Sequence, residues 1–368
     1  MTSIESSMAA RLARQAATRL QQGVILPEDL RRADAQLAAL HLRLAASRHL
    51  NPTDEVEARA RFLRGGPARF RYLPLTDADD LLRGCETIRP PLDHPLGVEV
   101  AAARDELFCS IVALRDRTAA AFDALAVASG WYDEAGPAPT RATPVRPHDE
   151  SLVDHDALLA AFRDGLAAAG HPDWTVQTDP IMSARVVVDS PRRTLRVNPR
   201  AVASQTEVLA LVAHEIGVHV GRAAAGARQP LTIFANGLAR SLATEEGLAL
   251  HAEARAVGLP VGASDRLALL AAAGRRAREQ GFTGLYRGLE PLLGASGAWT
   301  TCVRLKRGLA SPEEPGVYAK DRVYWVGWCR VSAWLEAGGD ERLLSVGKVS
   351  IDHPVAAWIV AGWINPPG

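Results

Sequence analysis

Only four cysteines occur in this chain of 368 residues, Cys85, Cys109, Cys302 and Cys329, and no two have the spacing of a metal or redox pair. A disulfide-held secreted fold is therefore not expected, and reduced thiols in a cytoplasmic protein are the expectation. An excess of charge is missing too: 42 Lys and Arg stand against 42 Asp and Glu. Neither nucleic acid nor an anionic membrane is the expected partner of such a balanced chain. No run of 18 apolar residues free of charge appears, so no membrane span is expected. The N-terminus is charged throughout and lacks the apolar centre of a signal peptide. No internal repeat is visible.

What is present has the composition of a globular enzyme, with 48% hydrophobic and 23% charged residues. At this length the chain forms two domains or one large one. Residues 8–50, 54–64 and 99–130 read as helices, with Pro27-Glu28-Asp29 as a helix start. Phe70 to Leu75 reads as a short extended piece. Residues 133–150 contain Gly136, Pro137, Pro139, Pro144 and Pro147 and read as a loop. That loop divides an N-terminal helical region, 1–135, from a region spanning 150–368, with the two expected to pack as one unit. Residues 184–189 and 194–198 are rich in β-branched residues and are joined by Ser190-Pro191-Arg192-Arg193, which predicts a hairpin. The next helix is expected to start near Ser204, with Glu207 as its capping-box partner.

The most informative stretch is His214-Glu215-Ile216-Gly217-Val218-His219. It closes the apolar run Val208-Leu209-Ala210-Leu211-Val212-Ala213. Two imidazoles and a carboxylate are costly to bury unless something pairs with them. Zinc does so: it binds neutral imidazole nitrogens, and a catalytic site keeps one position open for water. A glutamate beside the first ligand can serve as general base on that water. The spacing, however, is one residue longer than in His-Glu-x-x-His. On a regular helix, positions i and i+5 lie about 140° apart, against about 40° for i and i+4. So the helix contains a π-bulge, or it ends near Gly217 and His219 reaches back, or the two are ordinary helix-end histidines. A third ligand is sought downstream. Thr244-Glu245-Glu246-Gly247-Leu248 looks like an N-cap followed by acidic residues, and Glu246 would complete a His/His/Glu set.

The chain resembles the QEGLA-motif family in His-Glu-Ile-Gly-x-His followed by Glu-Glu-Gly-Leu-Ala. Further likeness lies in Asn51-Pro52, Phe70 to Leu75, Lys306-Arg307-Gly308, Ala319 to Tyr324 and Gly347-Lys348-Val349, and covers roughly residues 35–365. Bacterial members are labelled flavohemoglobin expression-modulating proteins. Animal members are microtubule-associated tyrosine carboxypeptidases, which remove the C-terminal tyrosine of α-tubulin. The resemblance implies a zincin-like metallopeptidase core with a small β-hairpin or sheet beside the motif helix, in a predominantly helical α+β fold. It implies His214, His219 and Glu246 as Zn2+ ligands and Glu215 as general base. Glu245 stands where the family motif has Gln.

A carboxypeptidase also needs a cation for the substrate's free carboxylate and a donor for the developing oxyanion. Arg304, Arg307 and Lys320 are the candidates for the first role, and Tyr324 for the second. The hairpin either pairs its edge with substrate backbone or serves as scaffold covering the motif helix. His251 is expected to be structural, and Trp325 and Trp328 to lie in the core. The expected partner is a peptide or protein C-terminus. The alternative is a metal-binding regulatory protein without hydrolytic activity. Glu215 favours the enzyme, because a binder needs no base.

Overall fold

The computed structural model describes residues 26–133, 151–258 and 265–368. Most of the proline-rich loop, and the helix expected before Leu26, lie outside them. Helices carry the N-terminal region: α1 (Glu28–Arg43), α2 (Ala46–Leu50), α3 (Glu55–Leu63), α4 (Ala78–Thr87), α5 (Pro95–Asp116) and α6 (Ala119–Ala128). Their starts are chemically marked. Acidic Glu28 and Asp29 occupy the first turn of α1, where they complement the helix dipole. His94 caps α5 by accepting from the Leu96 N–H, with Pro95 at the first helical position. Thr118 caps α6 through the Ala121 N–H.

From residue 151 onward come β1 (Leu152–Val153), α7 (His155–Ala168), β2 (Thr175–Thr178), β3 (Val186–Asp189), β4 (Thr194–Val197) and β5 (Ala203–Ser204). The hairpin forms as expected: β3 and β4 are antiparallel, with Val186 opposite Val197 and Asp189 opposite Thr194. A strand the pattern does not predict, β2, adds parallel to β4 and leaves β3 at the sheet edge. β2 is four residues long and mostly exposed, so it lacks the apolar alternation that marks a strand. The segment Phe70 to Leu75 has no regular structure. It is tied to the loop before α3 by Thr53 N–H donating to Arg71 O and Arg71 N–H donating to Asp54.

The remaining helices are α8 (Gln205–Gly226), α9 (Ile233–Asn236), α10 (Leu242–Ala256), α11 (Asp265–Ala277), α12 (Phe282–Lys306), α13 (Arg322–Glu336) and α14 (Val355–Ala361). Helix α8 starts with the expected capping box: Ser204 accepts from the Glu207 N–H, and Glu207 accepts from the Ser204 N–H. Its apolar residues face two cores. Val218 joins a large core shared by the N-terminal helices and residues up to Ile364. Ile216, Val220 and Ala223 join a smaller core with α7 and the sheet. A helix buried from two sides is apolar nearly all round. That accounts for α8 being long and apolar enough, by composition alone, to cross a membrane, although most of it is buried inside the protein.

Two glycines set a close helix contact. A Cβ on Gly327 of α13 would stand 1.9 Å from the Ala243 carbonyl oxygen, and one on Gly247 of α10 would stand 2.4 Å from the Gly327 oxygen. Helices α10 and α13 therefore touch backbone to backbone. Trp325 and Trp328 are buried behind them, as expected. His251 stacks on Trp328 at 4.5 Å and meets Ser332 Oγ at 3.0 Å, a structural role. The four cysteines are free thiols.

Candidate metal centre

The i, i+5 spacing is resolved by the backbone. Residues Ala213–Val220 form a π-helical segment inside α8, and the α-helix resumes at Gly221. The widened turn brings residues five apart onto one face. The helix does not end at Gly217, and Gly217 is not among the residues with positive φ. The distortion thus does not draw on glycine's access to left-handed backbone. The His214 and His219 rings lie 4.8 Å apart at their centroids. Ligand atoms of His214, Glu215 and His219 all lie within 4.8 Å of one another, and all three residues are buried.

Helix α10 supplies the carboxylate between the rings. It starts one turn earlier than expected, with Ser241 at the N-cap position. Thr244 is inside the helix, where its Oγ1 accepts from the Ile351 N–H. Glu246 Oε2 sits 3.4 Å from His214 Nε2 and 3.5 Å from His219 Nε2. Glu246 is 3% exposed, and this oxygen has no hydrogen-bond partner. A buried carboxylate oxygen that faces two imidazole nitrogens without a hydrogen bond is a place a cation could fill. The spacing suits zinc: bonds of about 2.0–2.1 Å in tetrahedral geometry place ligand atoms about 3.3–3.4 Å apart.

Electrostatics point the same way. Burial alone would lower both histidine pKa values, yet Glu246, Glu253 and Glu215 hold His214 well above its ordinary value, and Glu246 and Glu245 raise His219. Burial would raise Glu246, yet His219 and His214 hold it well below the ordinary carboxylate range. The cluster attracts positive charge, and the protons it draws onto the rings are the charge a divalent cation would replace.

Each ring nitrogen facing away from Glu246 also meets a carboxylate. Glu245 Oε1 lies 2.6 Å from His219 Nδ1, and Glu253 Oε1 lies 2.7 Å from His214 Nδ1. Sequence reasoning gives neither residue a role. A signal exists for Glu253: it follows Glu246 by seven residues, two helical turns, and so shares its face. For Glu245 the sequence offers only a departure from the family motif.

The other expected residues line one cavity with the cluster, about 460 Å³ in volume. Tyr324 reaches it from α13. Burial and the nearby Glu246 charge keep its phenol well above the ordinary value, so it stays protonated. Arg304, Arg307 and Lys320 all line the wall. Arg304 is engaged by Asp321 in a two-pronged pair at 2.6 and 2.9 Å. Arg307 is held more loosely. Its Nη2 is 3.9 Å from Asp321, its guanidinium lies 5.1 Å from the Tyr318 ring centre, and its buried Nε has no partner. The edge strand β3 forms another wall, and Phe122, Leu125, Trp131 and Tyr318 add an apolar and aromatic end.

Comparison with known proteins covers this same region. A family described as microtubule-associated tyrosine carboxypeptidase matches residues 138–368. The human "Microtubule-associated tyrosine carboxypeptidase 1" is 34% identical over 205 residues, 54% of this chain and 43% of that protein. Its mouse counterpart is 32% identical over 179 residues, 47% of this chain and 38% of that protein. The mouse "Putative tyrosine carboxypeptidase MATCAP2" is 28% identical over 179 residues, 46% of this chain and 33% of that protein. The match spans less than half the length of each of these relatives.

Proposed function

The chain belongs to the microtubule-associated tyrosine carboxypeptidase family, and on that premise we propose that it is a zinc-dependent carboxypeptidase with a zincin-like core, removing the C-terminal residue of a peptide or protein. The observation that carries the metal is the unpartnered Glu246 oxygen between two Nε2 atoms. His214, His219 and Glu246 would hold the ion. When bound, zinc would polarise the scissile carbonyl and make a water nucleophilic at neutral pH.

The chain's own residues supply the rest. Glu215 is buried beside both rings, its carboxylate within 4.8 Å of their ligand atoms, and with Glu246 taken as the third ligand it is left to act on the water. Its carboxylate takes a proton from the attacking water and passes it to the leaving amine. The Tyr324 phenol donates to the carbonyl oxygen as negative charge develops there. Arg307 is the better placed arginine for the substrate's terminal carboxylate, because Arg304 is already neutralised by Asp321. Lys320 adds a second positive charge on the same wall. β3, an edge strand on the cavity wall, offers backbone groups for pairing with an extended substrate. A cavity of about 460 Å³ accommodates a terminal residue and its immediate neighbour rather than a folded domain.

The test is digestion of a peptide library, read by mass spectrometry, with the wild type and Glu215→Gln. The wild type should shorten peptides from the C-terminus. Glu215→Gln should keep its metal and its fold while losing at least about 100-fold in rate, the scale of a general base. A zinc-loaded wild type that cleaves nothing would instead support a metal-binding regulatory protein.

A further inference from the structure

Helix α10 contributes three carboxylates to the cluster, Glu245, Glu246 and Glu253, and only Glu246 faces the ring nitrogens that converge. Glu245 is 3% exposed, and burying a carboxylate there is expensive. The protein surrounds it with cations. Its Oε1, which meets His219 Nδ1, also lies 2.7 Å from Lys348 Nζ, and its Oε2 lies 3.6 Å from Arg222 Nη1. Arg222 is itself fixed, donating to Leu344 O at 3.1 Å and Val349 O at 2.6 Å. The segment 344–349 therefore provides both Lys348 and the carbonyls that orient Arg222. A well-packed apolar side chain would serve stability as well as such a buried charge network. The network is explained if it acts on His219.

We infer that Glu245, fixed by Lys348 and Arg222, is the positioning residue of His219. It accepts a hydrogen bond from Nδ1–H, which selects the tautomer whose Nε2 lone pair points toward Glu246. Its negative charge strengthens Nε2 as a donor, as carboxylates behind metal-binding histidines do. The inference rests on the metal-centre reading above. Glu253 stands behind His214 in the corresponding place, but its side chain is 32% exposed. Although the Glu253 carboxylate is 2.7 Å from Nδ1, that nitrogen lacks an aligned hydrogen bond. The two supports are unequal, and Glu245 is the stronger.

The experiment measures zinc dissociation constants of the full chain by competition with a chromogenic chelator. Circular dichroism and denaturant unfolding of the metal-free protein run alongside, and the visible spectrum of the cobalt-loaded protein is recorded. Glu245→Leu removes both acceptor and charge. Glu245→Gln keeps an acceptor oxygen and removes the charge. Glu245→Leu should bind zinc about 10- to 100-fold more weakly, with an altered cobalt spectrum. Glu245→Gln should fall between it and the wild type. A folded Glu245→Leu protein with wild-type affinity overturns the inference, and so does reduced metal-free stability with unchanged affinity. If Glu245→Leu does not fold, a Glu245→Gln protein with wild-type affinity overturns it. A wild type that binds no zinc overturns the metal centre itself. Zinc binding that is insensitive to both substitutions overturns only the role of Glu245.

Discussion

Gly247→Ala isolates the contact that positions Glu246, the proposed third ligand. Gly247 follows Glu246 directly and faces Gly327 across the α10–α13 crossing. An added Cβ would stand 2.4 Å from Gly327 O, 2.6 Å from Gly327 C and 2.7 Å from Val331 Cγ2. Ordinary nonbonded contacts are about 3.5 Å, so roughly 1 Å must be found. Two of the three obstructing atoms are backbone and cannot rotate away. Two terms oppose each other. Alanine gains about 1 kcal/mol over glycine in a helix interior. Overpacking costs about 1–3 kcal/mol, and a clash with backbone belongs at the upper end. The clash wins by about 1–2 kcal/mol. The separation also carries a chemical cost: it shifts Glu246 on α10 and Tyr324 on α13 relative to the two rings. A chain of this length loses only about 1–2 °C of Tm per kcal/mol, so urea titration of the metal-free protein is the sharper assay. Zinc affinity is measured in parallel. Gly217→Ala is the control. Gly217 sits in the π segment, where an added Cβ would meet no atom within 4 Å, and the substitution should be neutral or gain up to about 1 kcal/mol. A Gly247→Ala protein as stable as the wild type, with unchanged zinc affinity, would refute this account of the crossing.

The metal set predicts about one zinc per chain in protein purified without chelator, and folded His214→Ala, His219→Ala and Glu246→Ala proteins should each retain far less by elemental analysis. Peptides with amidated C-termini should be poor substrates, and Arg307→Ala should narrow the gap between free-acid and amidated peptides by about 10- to 150-fold, the value of a charge-assisted bond in the transition state; efficient cleavage of amidated peptides would reject the exopeptidase assignment. Burial pushes Asp321 up, but Arg304 and Arg307 overcome it and hold the carboxyl below its ordinary value. A depressed carboxylate contributes stability that is present above the unfolded value, about 3.9, and is lost as pH falls through the folded one. Asp321→Asn should therefore lower stability at neutral pH and shrink the difference between pH 7 and pH 3, as followed by urea titration at each pH.

A distortion of α8 is legible in the sequence on the condition that both histidines serve one site. Two imidazoles five residues apart cannot meet on a regular helix, and the apolar run before them marks a helix. The structure selects the π segment over a helix end, a choice that depends on α8 packing against two cores. Sequence patterns do not report that packing. The hairpin is visible in its β-branched runs, whereas β2 is not: four mostly exposed residues pair in parallel with β4 across a separation that no local pattern encodes. The start of α10 departs from expectation for a related reason. Thr244 is a good capping residue by type, but it is recruited by the 350–351 turn, so Ser241 takes the N-cap position.

The charges around the cavity show where residue type stops being informative. Arg304, Arg307 and Lys320 look equivalent in sequence, and nothing there gives Asp321 a role. Once folded, Asp321 is 2% exposed and binds Arg304 through both oxygens, while Arg307 keeps a buried nitrogen free. The same sorting separates the three glutamates of α10. Adjacent positions on a helix point about 100° apart, so Glu245 and Glu246 cannot both face the converging Nε2 atoms. Glu246 takes that place, and Glu245 turns to Nδ1 of His219, where Lys348 meets it from a segment about a hundred residues further along the chain. A motif can therefore point to a candidate ligand set, because ligands must be close in geometry and of fixed type. It cannot identify the groups behind the ligands, whose partners are supplied by distant segments and whose chemistry allows either a carboxylate or an amide.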